Sequence, residues 1–271
     1  VDIAQNEMGP DKVKDFLSQP DRFQVQTYPG LNMIYMLINF HDKWLSNPIV
    51  RRALAHAIDR QSIIQYKLFN LAEAATSILS PINPFFSKEL QNPEFDSKKS
   101  ADLIRSAGAV EHTLTLKTSN DPTALAVGRV LAHQLRESGL KIKHESYEWA
   151  TYYADIKKGA FELATMKWVG IVDPDIYRAA FLSTETPPGR NRGFYKNPQV
   201  DTILNQAQKA EDFAERSKLF GQVQRLVHQD LAIIPLWYDR QVAIAQSNIR
   251  DYHPIATSDY RALTKVYKET H

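Results

Sequence analysis

The spacing of apolar residues changes between helical and strand periods along the chain. A helical period predicts one helix over residues 47–69, with Asn47 as its N-cap and Pro48 in its first turn. The apolar stripe of this helix consists of Val50, Ala53, Leu54, Ala57, Ile58 and Ile64. Its charged residues are predicted to face away from the core: Arg51, Arg52, Asp59 and Arg60.

Strand and helix patterns then alternate through the middle of the chain. Residues 112–117 and 140–144 predict two strands, and the intervening segment predicts a helix that begins after Asn120-Asp121-Pro122. This order predicts a right-handed βαβ unit. Shorter apolar runs at residues 24–27, 33–39, 233–238 and 242–245 predict four further strands, the first two separated by Pro29-Gly30. The fold class is therefore α/β, with a mixed sheet flanked by helices.

Composition excludes several classes of protein. The 33 basic and 31 acidic residues are well mixed and leave a net charge of +2, so no charged surface for nucleic acid is expected. No run approaches the roughly 18 apolar residues that a membrane span needs. Cysteine is absent, which excludes disulfides, thiolate metal sites and cysteine nucleophiles, and which fits an oxidising compartment.

The usual signatures of catalysis and of cofactor binding are missing. The eight histidines are scattered, and none has the spacing of a metal-ligand motif. No nucleophile elbow, phosphate-binding loop or dinucleotide fingerprint is present. We therefore expect no enzyme activity, no cofactor and no metal. One catalytic alternative stays open, in which Asp173 and Asp175 act as a pair of carboxylates in a hydrolase.

The best candidate for a binding site follows the predicted strand at residues 161–168. This strand ends at Trp168, and Gly170, Asp173 and Asp175 lie in the irregular segment after it. An indole beside carboxylates suits a small polar or cationic ligand, which it can hold by stacking, cation–π contact and hydrogen bonds. The alternative is that Trp168 belongs to the core and that Asp173 is a turn or capping residue.

Several stretches resemble a known family. The segment NPIVRRALAHAIDRQSII at residues 47–64 resembles the helix that marks the family 5 extracellular solute-binding proteins, which are the dipeptide, oligopeptide and nickel receptors of ABC importers. Three more stretches are similar in the same order, at residues 147–170, 173–183 and 191–207. Residues 29–39 and 233–239 resemble the segments that pass between the two lobes of these proteins.

The resemblance implies a periplasmic-binding-protein-like architecture of the class II type, in which two lobes close on a ligand by a hinge motion. It implies that this chain is an incomplete, C-terminal portion. Residues 1–30 and 240–271 would belong to the first lobe, and residues 31–239 would form the second, ligand-binding lobe. The expected ligand is a small solute, most simply a short peptide, and the expected partner is an ABC permease.

The resemblance also implies a location and an alternative function. It places the protein in the periplasm, or anchored by lipid at the outer face of the cytoplasmic membrane. The alternative is a sensing module of the same fold in a transcriptional or signalling regulator. Candidate wall residues carried over from the matching stretches and from the nearby aromatic set are Trp149, Asn191, Arg192 and Tyr195.

One feature departs from the peptide-binding members of the family. In those proteins a carboxylate a few residues after the strand-end tryptophan pairs with the α-ammonium group of the peptide. Here residues 169–172 carry no acid, and Asp173 is the first carboxylate after Trp168. Two interpretations follow: Asp173 takes over the role of amine anchor, or the ligand is not a peptide with a free amine.

Overall fold

The computed structural model describes residues 2–6, 8–257 and 259–269. Val1 lies outside the described residues. The strands are β1 (Ile3–Gln5), β2 (Phe23–Ile38), β3 (Ala72–Ala74), β4 (Thr113–Ser119), β5 (Lys141–Tyr147), β6 (Leu163–Trp168), β7 (Ile233–Gln246), β8 (Ile249–Arg250) and β9 (Tyr267–Lys268). The helices are α1 (Pro10–Leu17), α2 (Pro48–Ala57), α3 (Arg60–Tyr66), α4 (Ser97–Ser106), α5 (Pro122–Glu137), α6 (Trp149–Lys158), α7 (Ile176–Phe181), α8 (Pro198–Ala207) and α9 (Phe213–Gln229).

The main sheet is mixed. Its order is β1-β7-β2-β6-β4-β5, and β3 pairs with β7 as well. The pairs β4–β5 and β4–β6 are parallel, whereas β2 runs antiparallel to both β6 and β7. The separate pair β8–β9 is antiparallel. The mixed α/β class predicted from the sequence is confirmed.

Helices cover both faces of the sheet. Successive residues of β2 alternate between two cores: Met33, Tyr35 and Leu37 pack on one face, whereas Met36 and Ile38 pack on the other. Helices α2 to α5 cover the face of Met36, and α6 to α9 cover the face of Tyr35. Because both faces are buried, the sheet lies in the middle of a three-layer structure. Within the described residues, the helices are too short or too polar to cross a membrane.

The predicted βαβ unit is present as β4–α5–β5. Asp121 caps α5 by accepting hydrogen bonds from the backbone N–H groups of Thr123 and Ala124, each at 3.0 Å. The helix buries its apolar side, including Val127 and Leu131, against the parallel strands. Strand β4 also pairs in parallel with β6. The carboxyl ends of β4 and β6 therefore lie at the same edge of the sheet.

Two long strands, β2 and β7, run through the whole structure. Each was predicted as two short strands, because Pro29-Gly30 and a polar stretch before Val242 interrupt their apolar patterns. The pairing instead continues on both sides of a register shift between Pro29 and Met33. Gly30 is needed at this point, because a Cβ atom there would lie 2.2 Å from the carbonyl oxygen of Asp239.

The helix predicted over residues 47–69 is wrong in its extent. It is divided into α2 and α3 because Ile58 has an extended backbone and Asp59 begins a new helix, where its carboxylate accepts the N–H of Ser62 at 3.0 Å. The N–H of Asp59 donates to the side-chain oxygen of Gln134 on α5 at 3.2 Å. This contact lies 75 residues away in the sequence, so the local pattern does not reveal it.

The outward direction predicted for Arg51 and Arg60 is also wrong, because both side chains are buried. The guanidinium of Arg51 donates to the carbonyl oxygens of Leu45, Ser46 and Asp230 at 2.8–2.9 Å. That of Arg60 donates to the carbonyl oxygen of Pro235 at 2.8 Å. A guanidinium group carries several donors in a fixed fork, so one buried arginine can donate hydrogen bonds to several backbone carbonyl groups.

Candidate functional site

A cavity of about 860 Å³ opens at the edge of the sheet where β4 and β6 end. Its wall also includes residues of β2 and β7 near the register shift, among them Asn32 and Asp239, and residues of α1. Ligand cavities typically have volumes of roughly 300–1,000 Å³, so this cavity has room for a small solute. Three residues predicted for the site line it: Trp149, Trp168 and Arg192.

Trp149 and Arg192 contact the same residue, Tyr153. The indole of Trp149 stacks on the Tyr153 ring with centroids 5.4 Å apart and planes 14° apart. The guanidinium of Arg192 lies 4.8 Å from the centroid of the Tyr153 ring and donates to its hydroxyl at 2.7 Å. The Nε atom of Arg192 is buried and has no hydrogen-bond partner among the described residues. This aromatic and cationic wall suits a ligand with planar or anionic groups.

Trp168 is the last residue of β6 and is partly exposed to the cavity. Its indole stacks on the buried ring of Tyr35, with centroids 6.1 Å apart and planes 9° apart. The next turn is fixed by Gly170, which has a φ of 64° and donates its N–H to the side-chain oxygen of Asn32 at 2.9 Å. The indole of Trp168 is therefore held in place by Tyr35, and the part of its ring that lines the cavity remains available for stacking.

Asp173 and Asp175 lie outside the cavity lining. Both carboxylates face the guanidinium of Arg216 on α9, and each N–O distance is 3.1 Å. Asp173 also accepts the backbone N–H of Asp175 at 2.9 Å. The interpretation of Asp173 as a turn residue accounts for this arrangement. Neither carboxylate is placed to bind a ligand in the cavity, and the pair faces an arginine rather than a substrate cleft.

Asn191 and Tyr195 are also set apart from the cavity, because both are buried. The side-chain amide of Asn191 donates to the carbonyl oxygens of Leu182 and Tyr195, at 3.1 and 2.8 Å. The hydroxyl of Tyr195 donates to the carboxylate of Asp230 at 2.5 Å. Burial and the neighbouring carboxylate both raise the pKa of Tyr195, so its hydroxyl stays protonated at neutral pH. These two residues shape the loop that carries Arg192.

The acidic groups that do line the cavity have partners. Asp239 of β7 pairs with Lys167 of β6 at 2.6 Å, and Asp121 caps α5. The exposed Arg190 adds a further cation beside Arg192. Sequence reasoning did not assign Lys167, Asp121 or Asp239 to the site. The position of Asp121 after a predicted strand was the only local indication, since the other two depend on the pairing of β6, β2 and β7.

Comparison with known proteins places this geometry in a family. The curated relatives include heme-binding protein A of Haemophilus influenzae, which is 26% identical over 239 residues that make up 85% of this chain and 44% of that protein. They also include di/tripeptide-binding protein 3 of Pseudomonas aeruginosa, which is 23% identical over 87% of this chain and 46% of that protein. The chain thus spans about half the length of the curated relatives it matches.

Comparison with solved structures also identifies binding proteins. The periplasmic binding protein DppA from Helicobacter pylori, in complex with the peptide STSA, has a TM-score of 0.86 and 26% identity, covering 100% of this chain and 53% of that chain. The family model for bacterial extracellular solute-binding proteins, family 5 Middle, matches residues 1–188. This match covers more than half of the chain, and so the chain belongs to the family 5 bacterial extracellular solute-binding proteins.

Proposed function

We propose that this chain is part of the substrate-binding component of an ABC importer and that it captures a short peptide or a similar small solute. The observation that carries the proposal is the cavity of about 860 Å³ at the ends of β4 and β6. Membership of a family of solute-binding proteins supports a binding role without catalysis. The relatives and solved structures reported above are binding proteins, and none of them favours the sensing-module alternative.

We assign ligand contact to the residues that line the cavity. Trp168 and Trp149 offer aromatic faces for stacking, and the guanidinium of Arg192 offers positive charge at the wall. Asp173 is not proposed as an amine anchor, because Arg216 faces its carboxylate outside the cavity. A ligand that binds this wall is therefore expected to present an apolar or planar group to Trp168 and an acceptor group to Arg192.

Capture is proposed to occur by hinge closure between residues 31–239 and a first lobe to which residues 1–30 and 240–271 belong. The register shift between Pro29 and Met33 supports a boundary there, because it interrupts the regular pairing of β2 with β7. Small separate cores around Val13 and Ala243 lie beyond that boundary. Ligand bound between the lobes would shift the equilibrium toward the closed form.

The proposed location is the periplasm, or the outer face of the cytoplasmic membrane. DppA from Helicobacter pylori, which is named as a periplasmic binding protein, supports this location. The proposed partner is the membrane permease of the same importer, which would receive the closed, loaded protein. No nucleic-acid partner is proposed, because acidic and basic residues are almost equal in number.

The test is ligand binding by the full-length protein that contains this chain. Titration calorimetry with di- to pentapeptides, with their N-acetylated forms and with nickel–histidine complexes would measure affinity. The variant Trp168→Ala is expected to weaken the binding of the best ligand by about tenfold or more, because it removes a stacking surface from a desolvated wall. Closure is expected to reduce the radius of gyration measured by X-ray scattering.

A matched control comes from Trp44→Ala. Trp44 is also a partly buried tryptophan, but it does not line the cavity. This variant is expected to bind ligand like the parent protein. The proposal fails if none of the three ligand classes binds at millimolar concentration, or if Trp168→Ala and Trp44→Ala lose affinity equally.

A further inference from the structure

Three potential metal ligands meet at the opposite edge of the sheet from the cavity. The donor atoms of Asp42, His112 and Glu162 all lie within 4.8 Å of one another. His112 and Glu162 are the residues immediately before β4 and β6, and Asp42 lies in the loop after β2. Because β6 is six residues long, this edge lies about 20 Å from the cavity edge at Trp168.

The backbone around the cluster fixes the two carboxylates. Asp42 accepts the backbone N–H groups of Trp44 and Leu45 on Oδ1, each at 2.9 Å, while its Oδ2 atom faces His112. Glu162 accepts the backbone N–H of Thr115 on Oε2, at 2.5 Å. In each case one carboxylate oxygen positions the side chain, and the other oxygen is available to a ligand.

The imidazole of His112 supplies an observation of a different kind. Its Nε2 atom is buried and has no hydrogen-bond partner among the described residues. The closest carboxylate oxygen, Oδ2 of Asp42, lies 3.8 Å away, which is too far for a hydrogen bond. A buried polar atom without a partner costs free energy unless another group satisfies it. A cation between the three side chains would satisfy Nε2 and both free oxygens together.

We propose that Asp42, His112 and Glu162 form a binding site for a zinc ion. One imidazole nitrogen and two carboxylate oxygens are a donor set that suits Zn²⁺ better than Ca²⁺ or Mg²⁺, which take oxygen ligands. Three atoms within 4.8 Å of one another share a point that is about 2.8 Å or less from each. Movements of about 0.7 Å then give zinc–ligand distances of about 2.1 Å, and water completes the coordination.

The proposed ion has a structural role. It joins the loop after β2 to the starts of β4 and β6, which are adjacent in the sheet order. It is separate from solute capture, because none of its three ligands lines the cavity. The spacing of the three residues in the sequence, 70 and 50 positions apart, explains why no metal-ligand motif was found.

The experiment uses the full-length protein, stripped of metal with a chelating resin and titrated with ZnCl₂ in a non-coordinating buffer near pH 7.5. Calorimetry is expected to show one site per chain, and saturating Zn²⁺ is expected to raise Tm. The variants His112→Gln and Glu162→Gln are expected to weaken this binding at least tenfold and to abolish the rise in Tm. Glu162→Gln keeps an oxygen for the N–H of Thr115, so its metal-free fold is expected to be unchanged by circular dichroism.

The matched control is His133→Gln, because His133 is an exposed histidine on α5 outside the cluster. This variant is expected to bind Zn²⁺ like the parent protein. The proposal is overturned if the parent shows no zinc binding tighter than about 100 µM, or if His112→Gln and Glu162→Gln bind as tightly as His133→Gln. Solute binding by Glu162→Gln is measured in parallel. It tests the proposed transport function separately, so failure of the zinc site is distinguished from failure of that function.

Discussion

Gly128 and Gly221 allow the packing of the βαβ unit to be tested with one substitution at two sites. Both glycines lie inside helices, Gly128 in α5 and Gly221 in α9. A Cβ atom at Gly128 would lie 2.6 Å from Nε2 of His144 and 2.7 Å from Cγ2 of Thr118. At Gly221 the nearest atom would be 3.9 Å away. The same Gly→Ala change is therefore blocked at one site and accommodated at the other.

The sign of the change in the free energy of unfolding at each site follows from two opposing contributions. Replacing glycine by alanine inside a helix stabilises it by about 1 kcal/mol. At Gly128 the new methyl group overlaps the His144 ring, which costs about 1–3 kcal/mol, and it displaces the hydrogen bond between His144 and Thr118, which contributes about 1 kcal/mol. We expect Gly128→Ala to lower the free energy of unfolding by about 1–3 kcal/mol and Gly221→Ala to raise it by up to about 1 kcal/mol.

Urea denaturation of the full-length protein, followed by circular dichroism, measures both changes on the same scale. Gly128→Ala is also expected to weaken solute binding, because Val127 of the same helix and its N-cap residue Asp121 line the cavity. Stability equal to or above that of the parent in Gly128→Ala would refute the close packing of α5 on β4 and β5. A large loss of stability in Gly221→Ala would refute the helix-propensity argument.

Three further predictions concern buried or half-buried polar groups. Asn39→Ala is expected to cost about 2–3 kcal/mol in urea denaturation, because its amide donates to the carbonyl oxygens of Gly159 and Phe161 and its oxygen accepts the N–H of His41; a loss below about 0.5 kcal/mol would contradict this role. Tyr238→Phe is expected to cost about 1–2 kcal/mol in the same assay, because its buried hydroxyl donates to carbonyl oxygens of residues 77 and 79; an unchanged midpoint would refute it. Burial and the nearby arginines lower the pKa of His144, so its contribution to stability is present above the unfolded pKa of about 6.5 and is lost as the pH falls below that value. Urea midpoints measured from pH 8 to pH 5 should fall less steeply in His144→Gln, and equal slopes would contradict the prediction.

Local patterns were sufficient where each element is determined by its own residues. The βαβ unit is an example, because Asp121 and the apolar side of α5 specify a capped amphipathic helix between two alternating strands. Local patterns were insufficient where contacts with distant parts of the chain determine the end of a helix or the direction of a side chain. Gln134 helps to end α2 at Ile58, and carbonyl groups of distant segments hold Arg51 and Arg60 inside the protein. A charged residue beside an apolar stripe therefore does not by itself identify a solvent-facing side.

The same distinction between local patterns and distant contacts applies to the residues of the candidate site. Trp168 was found because a strand delivers its last side chain to the edge of the sheet, and this is a local property. The direction of Asp173 depends on Arg216, which is 43 residues further along the chain. The neutralisation of Asp239 by Lys167 likewise depends on which strands lie side by side. Residue type and spacing thus predicted that Trp168 lies at the cavity, but not which of the neighbouring charged groups are paired with one another.

The positions of the proposed zinc site and of the cavity both follow from strand direction. Parallel pairing of β4 with β6 places the residues before both strands, His112 and Glu162, at one edge and the strand ends at the other. The register is fixed because Leu163 packs in one core and Met166 in the other, so a slip by one residue would turn each side chain into the opposite core and disrupt the packing of both. The same slip would turn Trp168 away from Tyr35 and separate Glu162 from Thr115. The burial of alternate β6 residues therefore determines the geometry of both sites.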